Sequence, residues 1–273
     1  MYKQQWKTIP KIRWIVLLII SVIFALVQIA TCNDWKSMGV DNLIYYFAPM
    51  DCSGIGGQVY LILFPLIALI LSGNLYPKEK NSHRLLYDYS RINHKQWIKV
   101  TFINNFLMGM ISAVVPLLFN LLFALTQCHH LTPIKSVIDS EGFANDGFNT
   151  TGLNWAGDFF GVHSGWSILF ALIVYAFYGG IFACLGMIAR EFVPYKYSEY
   201  FVPFTSVFIW NTLVDYIVIG DIPFCYFGTN YYLAFTFWDM SKLVAGAFLF
   251  MTILFSMITF MGYRRMIRRD ILD

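Results

Sequence analysis

The sequence predicts an all-α polytopic membrane protein, on three observations. Hydrophobic residues make up 58% of the 273 and charged ones only 13%, with 26 Phe, 17 Tyr and 8 Trp, a balance far more apolar than a soluble domain carries. Six apolar runs reach the length needed to cross roughly 30 Å of hydrocarbon. Lys and Arg gather in alternate connections between those runs, as short cytoplasmic segments do. Helices side by side in lipid form one layer, so residues 1–273 are read as a single transmembrane domain.

The first run, about 12–30, follows a basic start (MYKQQWKTIPKIR) and therefore has the outline of a signal peptide. It is nevertheless near spanning length, and Thr31-Cys32-Asn33-Asp34 after it shows no small-residue cleavage pattern, so it is read as an uncleaved first helix. The next runs fall at about 55–75, 100–125, 166–189, 201–219 and 243–262. Pro65, Pro116 and Pro203 lie within the second, third and fifth, where a membrane helix tolerates a bend if neighbours satisfy the freed carbonyls.

Charge orients the six spans. With both termini inside, sixteen of the nineteen Lys and Arg are cytoplasmic, and only Lys36, Lys135 and Lys242 fall outside, beside nine acids. Inverting the chain reverses that balance and violates the positive-inside rule. The segment Ile222 to Trp238 (IPFCYFGTNYYLAFTFW) is apolar enough to be a seventh span, but a crossing there would send the four terminal arginines outside. Its Gly228-Thr229-Asn230 break suits a re-entrant or interfacial segment before the last helix. The polar loop 126–165 is read as a small extracytoplasmic feature.

Residues 76–99 carry the densest charge, six Lys and Arg in YPKEKNSHRLLYDYSRINHKQWIK. At about 100° per residue Leu85, Tyr89 and Ile92 share one helical face while Lys80, Arg84 and Arg91 share another. Such a helix lies flat at the cytoplasmic headgroup boundary with its apolar face buried. The plain alternative is a loop that is basic only because it is inside.

Within this stretch a pattern stands out: Glu79, the pair Leu85-Leu86, Ser90-Arg91, and Lys99 entering the next helix. It resembles the first cytoplasmic loop of ABC-2 type transporter permeases, the transmembrane subunits of bacterial ABC exporters. The six-span layout and the segment before span six are similar to that family as well, although Asn81-Ser82-His83 stands where many members have Gly-Thr. The resemblance implies that 76–99 is a coupling helix docking on a cytosolic ATPase subunit. Glu79 and Arg91 would be its polar docking or hinge contacts, Leu85 and Leu86 its apolar anchor, and Lys99 a further coupling residue at the entry to the next helix. It also implies a second permease subunit, as a homodimer or a sister permease, and a non-catalytic chain without a cofactor, ATP and Mg being held by the partner. The absence of a G-x-x-x-x-G-K-[ST] phosphate loop from the sequence fits that division. The implied localisation is the bacterial plasma membrane, and the size and aromatic content suit an amphipathic cargo such as an antimicrobial peptide, a toxin or a drug.

Other candidates are weighed on their chemistry. Asp215, the one acid inside a predicted span, either hydrogen-bonds Asn211 or interfacial water, or lines a translocation path. Asn120 is either helix glue or a path residue. Gly179, Gly180, Ala183 and Gly186 form a small-residue face for subunit or intramolecular packing. Cys32 and Cys52 are the first disulfide candidates on the outer side, unpaired cysteines being the alternative. Cys128-His129-His130 lacks the further ligands that a tetrahedral metal site needs, so no metal is expected. An intramembrane enzyme or a stand-alone channel is the competing class; GVHSG at 161–165 misses the G-x-S-G of rhomboid-like proteases, and no H-E-x-x-H occurs.

Overall fold

The computed structural model describes residues 5–6, 9–32, 43–49, 54–73, 94–128, 164–193, 195–216, 218–219, 222–223, 227–228, 233 and 242–268. Six long helices carry the fold: α1 (Lys11–Thr31), α2 (Ile55–Ser72), α3 (His94–Gln127), α4 (Ser164–Phe192), α5 (Ser198–Tyr216) and α6 (Lys242–Arg268). A two-residue antiparallel pair, β1 (Val218–Ile219) with β2 (Ile222–Pro223), follows α5, and a 3₁₀ turn (Leu43–Tyr46) lies between α1 and α2. Five helices, all but α5, are long and apolar enough to cross a bilayer, which makes the chain a multi-pass membrane protein. The helix α5 carries Glu199, Asn211 and Asp215 in 19 residues and does not meet that standard.

Helix ends follow local chemistry. Pro10, in extended conformation, precedes the first turn of α1, where its fixed φ and missing N–H cost nothing. The start of α2 has no cap of its own. Instead α1 supplies one from its far end: Gln28 Oε1 accepts from the Gly57 N–H at 2.7 Å and Thr31 Oγ1 from the Ile55 N–H at 3.1 Å. Both would otherwise be orphan donors of a first helical turn. A side chain at Gly56 would run into the Gln28 backbone and side chain, so glycine there is what allows this approach.

Two boundaries differ from the expectation. The third helix begins at His94, not near 100, and its 34 residues span about 51 Å; Lys99 therefore sits inside α3 and not on a separate segment. Nothing in HKQWIK interrupts a helix, and Trp97 and Ile98 are buried against Met187 and Met266, which rewards extending it. The fifth helix ends at Tyr216 because Val218 and Ile219 enter the small ladder. Most of 222–238 lies outside the described residues, but it returns to the bundle at two points: Trp210 Nε1 donates to Phe227 O at 3.0 Å and the Tyr175 hydroxyl to Leu233 O at 2.8 Å.

The interior is filled with rings. Phe24, Tyr60, Phe64, Tyr175, Tyr178, Phe182 and Phe255 form a continuous chain of contacts with centroids 4.9 to 6.4 Å apart, within the favourable range for aromatic pairs. Each tyrosine hydroxyl there has a polar partner: Tyr60 donates to Ala113 O, Tyr175 to Leu233 O, and Tyr178 pairs with Thr252 at 2.7 Å. The outward faces of α1 and α6 are apolar, with Ile19, Ile23 and Leu26 on one and Leu249, Ile253 and Met257 on the other all more than half exposed. Lipid or another apolar chain is the solvent such faces require.

The tightest helix contact joins α3 to α4. An added Cβ at Gly179 would stand 2.5 Å from Ala113 Cβ and 2.7 Å from Gly109 O, and one at Gly109 would stand 2.5 Å from Ala183 Cβ. Gly180 receives the Phe106 ring, and Gly186 receives Leu69 and the Glu199 carbonyl. The small residues Gly179, Gly180, Ala183 and Gly186 thus pack within the chain, bringing two backbones together as membrane helices do through small residues.

Candidate functional site at the basic end of the bundle

The start of α1, the end of α2, the start of α3, the end of α4, the start of α5 and the end of α6 meet at one end. Nine of the ten described Lys and Arg stand there: Lys11, Arg13, Lys95, Lys99, Arg190, Lys196, Arg264, Arg265 and Arg268; Lys242 begins α6 at the other. Arg264 lies over the Phe260 ring at 4.6 Å and Arg265 over Phe192 at 5.2 Å, so two of these cations are held on aromatic faces.

Beneath the charges runs a buried polar seam. Gln5 Nε2 donates to Thr101 Oγ1 at 2.9 Å, Asn104 Nδ2 donates to Gln5 Oε1, and Trp6 Nε1 donates to Asn104 Oδ1 at 3.2 Å. Gln5, Thr101 and Asn104 are all buried. The residues ahead of α1 are thereby tied to the first turns of α3. Asn105, next along α3, sends Nδ2 to Met187 Sδ of α4 at 3.1 Å.

A few residues later the same N-terminal segment grips α2. Arg13 donates through Nη1 to the carbonyls of Leu71, at 3.1 Å, and Gly73, and it also hydrogen-bonds the Tyr200 side chain. A cation on the last carbonyls of a helix satisfies orphan acceptors and complements the negative end of the dipole. The Tyr200 hydroxyl lies where a Cβ on Gly73 would be, 2.2 Å from that position, so only glycine admits it. Behind Tyr200, Glu199 is 2% exposed and faces Arg190 of α4.

Residues 74–93 leave from Gly73 and return at His94. Both feet of that stretch are therefore braced by one short segment: Arg13 holds the α2 foot, and Gln5 with Trp6 holds the α3 foot.

No protein-family model matches the chain, and neither the curated proteins nor the solved structures contain a match.

The candidates from sequence fall as follows. Glu79, Leu85, Leu86 and Arg91 lie outside the described residues, as does Cys52. Lys99 is exposed on α3. Cys32 is buried and accepts from Gln28 Nε2 at 3.2 Å. Asn120 is fully buried: its Oδ1 accepts from the Ala48 N–H at 2.9 Å and its Nδ2 donates to Tyr46 O at 3.2 Å, so its amide is committed to the turn after α1. Asn211 is half-buried on α5. Asp215 falls in the last turn of α5, its side chain outside what the structure describes. Gln5, Asn104, Gln28 and Glu199 were not singled out from sequence. A polar residue at the end of an apolar run is ordinary there; only their partners, up to 99 residues away, distinguish them.

Proposed function

We propose that this chain is the permease subunit of an ABC-2 type exporter, a six-span protein with both termini in the cytoplasm of a bacterial cell and working with a separate cytosolic ATPase. The observation that carries this reading is the joint bracing of both feet of residues 74–93, the stretch that bears Glu79, Leu85-Leu86 and Ser90-Arg91. A docking lever must transmit displacement to the helices and not bend at its base, and the Gln5–Asn104 and Arg13–Gly73 ties supply that stiffness. Nine of ten described cations at the same end support placing it in the cytoplasm.

On this reading ATP and Mg stay on the partner chain, and Leu85 and Leu86 seat the lever in the ATPase while Glu79, Arg91 and Lys99 make its polar contacts. Closure of two ATPase subunits pushes two such levers. The interior of one chain is filled by the Tyr60–Tyr175–Phe182 ring system, which favours a path between two permease subunits over one through a single chain. An amphipathic cargo such as a peptide, toxin or drug suits apolar walls interrupted by amide and hydroxyl groups.

The test is purification of the tagged chain from its native cells in mild detergent, with co-purifying chains identified by mass spectrometry. A stoichiometric P-loop ATPase is expected. Leu85→Asp with Leu86→Asp should abolish its recovery while the permease stays monodisperse. Failure to recover any ATPase, even after chemical crosslinking, would remove the basis of this reading.

A further inference from the structure

The outward face of α6 runs from apolar side chains straight into two arginines. At about 100° per residue, Ile253, Met257, Phe260, Met261, Arg264 and Arg268 fall within a sector of roughly 100°, and all six are exposed. The opposite side is the packed one: Met251, Thr259 and Met266 are buried, and Gly262 rests against Ile188 of α4. Of the five apolar helices α6 buries the smallest share, 17%, so most of its contact comes from outside the chain. From Leu249 to Met261 the apolar part rises about 18 Å, close to the depth of one leaflet, half of roughly 30 Å of hydrocarbon. Arg264 and Arg268 therefore stand at headgroup level, on the meridian that faces lipid.

Topology asks only for cations at this end; it does not ask for them on that meridian. The Arg264 guanidinium is drawn back over the Phe260 ring, 4.6 Å from its centroid, because helical side chains lean toward the N-terminus. In α6 that lean is toward the bilayer core, so the cation is held at the edge of the acyl chains and not out in water. Neither Arg264 nor Arg268 has an ion pair among the described residues, and α6 contains no Asp or Glu. Arg265 lies to one side, over Phe192 of α4. Two guanidinium forks one turn apart fit the oxygens of a phosphate diester, which accept parallel N–H bonds. The apolar stripe beneath them fits acyl chains.

We infer that this stripe seats an anionic phospholipid, its phosphate held by Arg264 and Arg268 and its chains lying on Ile253, Met257, Phe260 and Met261. A phosphatidylcholine headgroup brings its own ammonium and leaves the two arginines unbalanced, whereas a net-negative headgroup neutralises them. The site stands on α6 and its packing against α4, and does not depend on the exporter reading.

Native mass spectrometry of the full chain in mild detergent reads retention of added phosphatidylglycerol against phosphatidylcholine with the same acyl chains. Wild type should hold one phosphatidylglycerol with a preference of about tenfold or more. Arg264→Gln with Arg268→Gln should remove that preference, and Arg264→Lys with Arg268→Lys, which keeps the charge, should stay within about threefold of wild type. Lys11→Gln with Lys196→Gln takes the same charge from the same end at two exposed positions off α6 and should leave the preference within about twofold. Glycerol phosphate, which has the headgroup chemistry but no chains, should not displace the lipid. Should the glutamine pair fail to fold, Arg268→Gln alone carries the test, with a loss of about threefold expected. An equal loss in the Lys11 and Lys196 variant would make the binding diffuse electrostatics and overturn the site, as would displacement by glycerol phosphate. So would a glutamine pair that retains phosphatidylglycerol like wild type but loses a co-purifying protein or changes oligomeric mass, since the face would then dock a protein.

Discussion

Replacing Gly179 with Leu should abolish the folded bundle. The smallest added carbon already stands 2.5 Å from Ala113 Cβ and 2.7 Å from Gly109 O, and neither is the tip of a flexible chain that could swing aside. The two helix backbones would have to part, and α3 packs along α4 more extensively than any other pair of the described helices. Gly109 cannot yield, because it lies against the Gly179 carbonyl itself. The expected cost is about 3 kcal/mol or more, read as loss of the monodisperse peak and of thermal stability in detergent. Gly246 supplies the contrast: nothing lies within 4 Å of a Cβ placed there, so Gly246→Ala should be neutral or stabilising by up to about 1 kcal/mol.

The next largest effect is expected at Asn120. Asn120→Leu keeps the branched heavy-atom shape and removes both polar groups, taking the acceptor from the Ala48 N–H and a donor from the Tyr46 carbonyl in a buried place. Losing both buried hydrogen bonds costs about 2–4 kcal/mol together. Asn120→Asp keeps the acceptor for Ala48 but loses the donor to Tyr46 and brings a charge, so it should be no milder. The readout is thermal inactivation of the detergent-solubilised chain, with faster proteolysis in the 43–49 turn than in wild type. If Asn120→Leu instead left stability and the turn intact, the clamp would be a minor contact.

The helices were legible because the bilayer imposes one demand on every span, an uninterrupted apolar run, and five of the six described long helices meet it. Their ends were less so. His94 to Lys99 is polar on average, and only burial of Trp97 and Ile98 against α4 and α6 makes it helix. Val218 and Ile219 look like the tail of span five, yet they pair with Ile222 and Pro223. Small residues of α4 announced a close contact, but not that Gly109 and Ala113 of α3 would receive it. The polar seam was invisible for a different reason: Gln5, Trp6, Thr101 and Asn104 are nearly a hundred residues apart and carry no spacing signal. Glu199 sits just ahead of the run that marks span five, where an acid looks like an ordinary flank; yet it is buried, with its backbone carbonyl packed on Gly186. Asp215 drew attention by its place in an apolar run, whereas among the described side chains the buried carboxylate with unfilled acceptors is Glu199.

The reading of residues 76–99 as a lever is tested most directly by a photo-crosslinking amino acid placed at Leu86 in the full chain, in native membranes. Irradiation should give one major adduct with the mass of the permease plus a P-loop ATPase, and a crosslinker at the exposed Ile253 of α6 should give none. Adducts at position 86 with lipid alone, or with no cytosolic chain, would contradict the lever and leave residues 76–99 as a basic helix on the membrane surface.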